Sequence, residues 1–123
     1  VGVSLVCDGR ERLLSGERVS DAAKILMPLR PEFLSINCTP VKGTTLALKQ
    51  LARATTLPLC VYANAGRATD DPGVWKFDPH MSVSTYVKEA RQWVKLGARI
   101  VGSCCGTGPD YTHALVAAFK QAS

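Results

Sequence analysis

The chain has 123 residues, a formal net charge of +5, 46% hydrophobic residues and 20% charged ones. That length suits one domain, and that balance belongs to a globular chain rather than a disordered one. The basic residues are scattered rather than interleaved with aromatics, no apolar run approaches the roughly 18 residues of a membrane span, and no signal-peptide pattern is present; nucleic-acid binding, membrane insertion and secretion are all disfavoured.

Val1 to Val6 reads as a short buried strand that Cys7-Asp8-Gly9 ends. Arg10 to Arg18 is a polar loop turning at Ser15-Gly16. Ser20 is expected to cap a first helix, with Asp21 in its first turn, Ala22, Ala23, Ile25 and Leu26 along it, and Pro28 and Pro31 bracketing its end. Phe33 to Asn37 forms the second strand and closes at Cys38-Thr39-Pro40. Gly43 and Thr44 open a second helix, whose apolar side is expected from Leu46, Leu48, Leu51 and Ala52. Leu59 to Tyr62 is the third strand. It runs into Ala63-Asn64-Ala65-Gly66 and a loop holding Asp70, Asp71, Trp75 and Pro79, long for a βα connection. Ser82 or Ser84 starts the third helix, with Tyr86, Val87, Ala90, Trp93 and Val94 on its buried side and Gly97 as its stop. Arg99 to Val101 is the core of the fourth strand. Pro109 suits the first turn of the last helix, and Leu115, Val116 and Phe119 supply its apolar face.

Strand followed by helix, four times over, predicts an α/β fold of four parallel βα units, because each helix is long enough to cross back. The near-continuous apolar strands predict burial on both faces. Functional groups are then expected at the strand C-terminal ends.

Five cysteines, an odd number with no paired spacing, argue against a disulfide-built secreted fold and for a reducing, cytoplasmic setting. Cys38 ends the second strand, and the adjacent Cys104 and Cys105 follow the fourth. Neighbouring strand residues point to opposite faces, so Cys104 and Cys105 share a site only if Gly102, Gly106 and Gly108 let the backbone leave strand geometry. Three thiolates on one sheet edge suit a soft tetrahedral cation, Zn²⁺ above all, with one position open. Two other readings stay open: packed small hydrophobes, or a redox pair or strained vicinal disulfide at Cys104-Cys105. Cys60 reads as core and Cys7 as loop packing beside the three. Asn64 either forms a turn or points its side-chain oxygen into the site. His80 and His113 lack ligand spacing, Trp75 and Phe77 anchor a loop or line a pocket mouth, and Asp70 and Asp71 suit a solvated loop.

SINCTP at one strand end, VYANAG at the next and LGARIVGSCCGTGPDYTHAL at the last resemble the C-terminal half of the homocysteine S-methyltransferases, over essentially the whole chain. The resemblance implies a (β/α)₈ TIM barrel, of which residues 1–123 are a partial domain holding four units. It implies Cys38, Cys104 and Cys105 as zinc ligands and Asn64 as a residue near the metal and the substrate. It also implies methyl transfer to the thiol of homocysteine, with the donor unidentified. Ser103 departs from the Gly-Gly pair usual before the cysteines. In the family the N-terminal half grips the amino acid part of homocysteine. The expected partner is therefore an N-terminal half-barrel or a second copy of the chain, and Val1 in place of Met suggests an upstream start.

Overall fold

The computed structural model describes residues 1–120. Strand β1 (Val3–Leu5) is followed by α1 (Val19–Leu26), β2 (Leu34–Pro40), α2 (Val41–Ala54) and β3 (Leu59–Asn64). A small hairpin comes next, β4 (Gly66–Ala68) with β5 (Trp75–Phe77), and then α3 (Val83–Lys95), β6 (Ala98–Ser103) and α4 (Pro109–Phe119). The principal sheet is β1-β2-β3-β6, and all three pairings are parallel. The four expected βα units are present. The addition is the antiparallel β4–β5 hairpin inside the long loop after β3.

Strand order here follows chain order, without the reversal that marks a doubly wound sheet. Right-handed crossovers repeated in one direction keep all the helices on one face, as in a (β/α)₈ barrel. On that face Leu34, Ile36, Leu59, Val61 and Ala63 are buried against Ala47, Leu48 and Leu51 of α2 and Tyr86, Ala90 and Trp93 of α3. The opposite face mixes polar and apolar residues, and the expected burial on both faces holds in part: Ser35 and Cys60 of the central strands are buried there, whereas Ile100 on the outer strand is exposed. Ser4 pairs with Ser35 and Asn37 with Tyr62 in register. The Ser4 hydroxyl donates to Asn37 Oδ1 at 2.6 Å, with Tyr62 Oη at 3.3 Å. Most of the buried apolar strand residues serve the helix side, and the residues between them, Ser35, Asn37, Cys60 and Tyr62 among them, line what would be the interior of a barrel.

Local signals set most boundaries. Ser82 caps α3 by accepting the Thr85 N–H at 3.1 Å, and Gly97, at φ 109°, follows its end. Pro109 lies in the first turn of α4. The α1 helix ends at Leu26, and a short 3₁₀ turn over Met27–Leu29 carries Pro28. Ser20 is not the cap of α1: the helix begins at Val19 with Arg18 as its N-cap. Burial of Val19, fully inside, fixes that start in place of a hydroxyl. Similarly, α2 begins at Val41, directly after Pro40. Gly43 is there for contact: a Cβ would lie 2.4 Å from Gly9 Cα. The inward stripe of α2 is Val41, Thr44, Ala47, Leu48 and Leu51, whereas Leu46 and Ala52 face out. Thr44 hides the stripe from a reading by apolarity, and its hydroxyl is satisfied by the Thr39 carbonyl at 2.9 Å. Val94 and Val116 are likewise exposed at 41% and 57%, and Trp93 takes the inside place instead. Among the described residues no helix is long and apolar enough to cross a membrane.

Candidate metal centre

Regular β2–β3 pairing runs to Asn37↔Tyr62 and resumes at Pro40↔Asn64. Between these pairs Cys38 and Thr39 stand opposite Ala63 alone, which is a bulge. Within it Cys38 takes φ 46°, the left-handed region that side chains other than glycine rarely occupy. Two neighbours hold this conformation. Thr39, fully buried, donates to the Asn37 carbonyl at 3.1 Å and accepts the Cys7 N–H at 2.9 Å, tying the end of β1 to β2. Asn64, also fully buried, donates from Nδ2 to the Cys38 carbonyl at 2.8 Å, while its Oδ1 accepts the Gly66 N–H at 2.9 Å.

The second branch leaves β6. The Cys104 N–H donates to the Ala63 carbonyl at 3.0 Å, and the Cys105 carbonyl accepts the Ala65 N–H at 2.9 Å. The Thr107 hydroxyl closes the turn on the Cys104 carbonyl at 2.5 Å. Gly106, at φ 76°, supplies the left-handed residue that lets the chain double back. Consecutive cysteines thereby reach one side.

The three sulfurs meet. Cys38 Sγ lies 3.5 Å from Cys105 Sγ and Cys104 Sγ lies 3.9 Å from Cys105 Sγ, with all three within 4.8 Å of one another. Zinc–sulfur bonds of about 2.3 Å at tetrahedral angles put thiolate sulfurs about 3.8 Å apart, so the donor set fits such an ion with little adjustment. All three are free thiols. Without a cation, burial first and then the two neighbouring thiols push Cys38 up to about 12. The Cys38 thiol is thus kept protonated until something positive joins it.

The other two cysteines do not join this three-sulfur group, although Cys7 lines a small cavity beside Cys38. Cys60 is buried in β3. Cys7 is 2% exposed, and burial pushes it up to about 12. His80, His113, Asp70 and Asp71 are exposed. Trp75 lies half-buried across the site loops: a Cβ on Gly66 would meet its ring at 2.0 Å, and one on Gly106 at 3.6 Å. Beside the double cysteine an open hollow of about 920 Å³ runs past Gly106, Pro109 and Thr112. Sequence reasoning missed Thr39 as a site residue. Its signal, a hydroxyl beside a strand-ending cysteine, has no distinguishing pattern. It also missed the hydroxyl of Tyr86, expected only as core, which donates to the Ala63 and Gly102 carbonyls at 2.8 and 3.0 Å.

Residues 1–119 match the family model described as Homocysteine S-methyltransferase. Among curated proteins, a homocysteine S-methyltransferase of Bacillus subtilis is 33% identical over 84 residues, 68% of this chain and 26% of that protein. The betaine-homocysteine S-methyltransferase of Drosophila melanogaster is 34% identical over 119 residues, 87% of this chain and 35% of that protein. Among solved structures, the metallated form of the homocysteine methyltransferase MmuM from Escherichia coli superposes with a TM-score of 0.68 at 32% identity, over 89% of this chain and 32% of that one. The chain spans about a quarter to a third of the length of these relatives.

Proposed function

This chain belongs to the homocysteine S-methyltransferase family, and from that premise we propose that it is the zinc-bearing part of an enzyme that methylates the thiol of homocysteine to give methionine. The supporting observation is the convergence of three thiols from two strand ends, within 4.8 Å of one another. On this reading residues 1–123 are a partial barrel domain. Cys38, Cys104 and Cys105 are the metal ligands, and Asn64 adjoins the substrate thiol.

When bound, zinc supplies positive charge that favours thiolate over thiol and offsets the burial that keeps Cys38 protonated. The chain's own part is placement. The bulge at Cys38 and the turn at Gly106 aim three sulfurs at one point, and the Asn64 carboxamide fixes the carbonyl behind Cys38. The homocysteine sulfur then forms a bond to the donor's methyl carbon as the donor's bond to that carbon breaks. Alignment of the two reactants is the main gain available to the protein. The methyl donor is met by elements outside these residues or by the hairpin that carries Trp75.

A second reading, a non-catalytic zinc- or thiol-binding half-barrel, is favoured by the open flanks. Strands β1 and β6 each pair on one side only, and Ile100 on β6 is 55% exposed. Open apolar edges invite pairing, so the partner on either reading is an N-terminal half-barrel or a second copy.

Metal analysis tests the core of the proposal. Purified under reducing conditions, the protein should carry close to one zinc per chain, and Cys104→Ser should lose most of it. A stoichiometry near zero in the unsubstituted protein sinks the zinc reading. Methionine formation from homocysteine with S-methylmethionine or betaine, alone and with an N-terminal half-barrel added, separates the two functional readings.

A further inference from the structure

We propose that Tyr86 is a positioning residue for the three-cysteine site, acting through the backbone of both strands that deliver the sulfurs; this rests on the metal-binding reading above. Tyr86 projects from α3 with its side chain fully buried. Its ring is fixed edge-to-face by Trp93 at 5.5 Å and Tyr111 at 5.4 Å. The single phenolic proton is shared between two carbonyls, Ala63 at 2.8 Å and Gly102 at 3.0 Å.

Those carbonyls sit where the cysteine branches diverge. Ala63 O also accepts the Cys104 N–H at 3.0 Å. The residue after Ala63 is Asn64, which holds the Cys38 carbonyl at 2.8 Å. Gly102 lies two residues before Cys104 and pairs with Tyr62 at the last regular stretch of the β3–β6 ladder. One hydroxyl therefore links the Cys38 branch, through Asn64, to the Cys104-Cys105 branch, through Gly102 and the shared Ala63 oxygen. A buried tyrosine needs only one acceptor to satisfy its proton. Here it bridges two strands at the point where both leave the sheet. Groups that orient metal ligands without touching the metal commonly alter affinity by about tenfold to a hundredfold when removed.

The test pairs Tyr86→Phe with Tyr111→Phe. Tyr111 is a control of like chemistry: it is buried, belongs to the same aromatic group and donates to the Met81 carbonyl at 2.8 Å, outside the cysteine loops. Zinc affinity is measured by competition with a chromophoric chelator, and the cobalt(II)-substituted protein gives the thiolate-to-metal and ligand-field bands. Tyr86→Phe should weaken zinc binding about tenfold or more and shift the cobalt bands. Tyr111→Phe should lose thermal stability yet keep both affinity and spectrum. Equal affinity in Tyr86→Phe and the unsubstituted protein, or equal losses in the two variants, would overturn the proposal. Should Tyr86→Phe not fold, site-specific 3-fluorotyrosine at position 86 keeps the ring and makes the hydroxyl a stronger donor. Shifted cobalt bands then support the positioning role, and unchanged bands overturn it. Absence of zinc binding by the unsubstituted protein overturns the metal reading and this proposal together.

Discussion

Asn64→Ala is the substitution whose cost can be worked most directly from the site. Asn64 is 0% exposed, and its carboxamide is used at both ends, by the Cys38 carbonyl at 2.8 Å and the Gly66 N–H at 2.9 Å. Alanine leaves both backbone groups without a partner. Each orphaned buried polar group costs about 1–3 kcal/mol, and the lost side-chain packing adds to that. Against this, Cys38 is held at φ 46°, a conformation that itself stores about 1–2 kcal/mol for a residue with a side chain. Some of that strain is released when its clamp is gone. The net loss is about 3 kcal/mol, to be measured by urea unfolding of the metal-free, reduced protein at neutral pH. Asn64→Asp makes the argument sharper. Its carboxylate still accepts from Gly66 but sets a second oxygen against the Cys38 carbonyl, so at neutral pH it should be at least as damaging as alanine. Protonation turns that oxygen into a donor, so the aspartate variant should recover on acidification while the alanine variant should not. Stability of Asn64→Ala within about 0.5 kcal/mol of the unsubstituted protein, the size of an ordinary surface change, would refute the clamp.

Two further outcomes are expected. Gly43→Ala sets a methyl group 2.4 Å from the backbone of Gly9, which cannot swing aside as a side chain can. The start of α2 must therefore move from the loop after β1, and the thermal midpoint should fall by several degrees, whereas Gly16→Ala, where a Cβ meets nothing within 4 Å, should cost only the strain of its φ of 103°. Cys7 gives a pH dependence. Burial, the largest cause, raises it from 9.0 to about 12, so its folded value lies above its unfolded value. Its contribution is complete below pH 9 and is lost as pH rises towards 12. Between pH 8 and pH 10 that loss amounts to about 1.4 kcal/mol. The difference in urea stability between the unsubstituted protein and Cys7→Ala should change by this amount over that interval, and a constant difference would refute it.

The alternation of strand and helix was legible because apolar runs, Ser82, Gly97 and Pro109 all act locally. Cys38, Cys104 and Cys105 were legible as neighbours because parallel strands deliver their ends to one edge. What escaped the sequence depends on contacts distant along the chain. Thr44 faces inward because of what α2 packs against, and it is sheltered by a carbonyl from the strand before it. The left-handed Cys38 carries no glycine to announce it, since long-range hydrogen bonds, from Asn64 to the Cys38 carbonyl and from the Cys7 N–H to Thr39, hold that backbone. The β4–β5 hairpin was hidden because each strand has three residues, too few to establish an alternation.

Consecutive strand order also bears on how the molecule comes apart. Among the described residues each of β1, β2, β3 and β6 pairs only with the units next to it in the chain, and no pairing joins the first unit to the last. Opening can begin at either flank and proceed inward one unit at a time, as in a linear array with nearest-neighbour coupling. Amide hydrogen exchange should therefore be slowest in β2 and β3 and fastest in the three-residue β1. Because the sulfurs come from β2 and from the loop after β6, a metal ion held by them would staple a central strand to an outer one and slow exchange selectively on the β6 side.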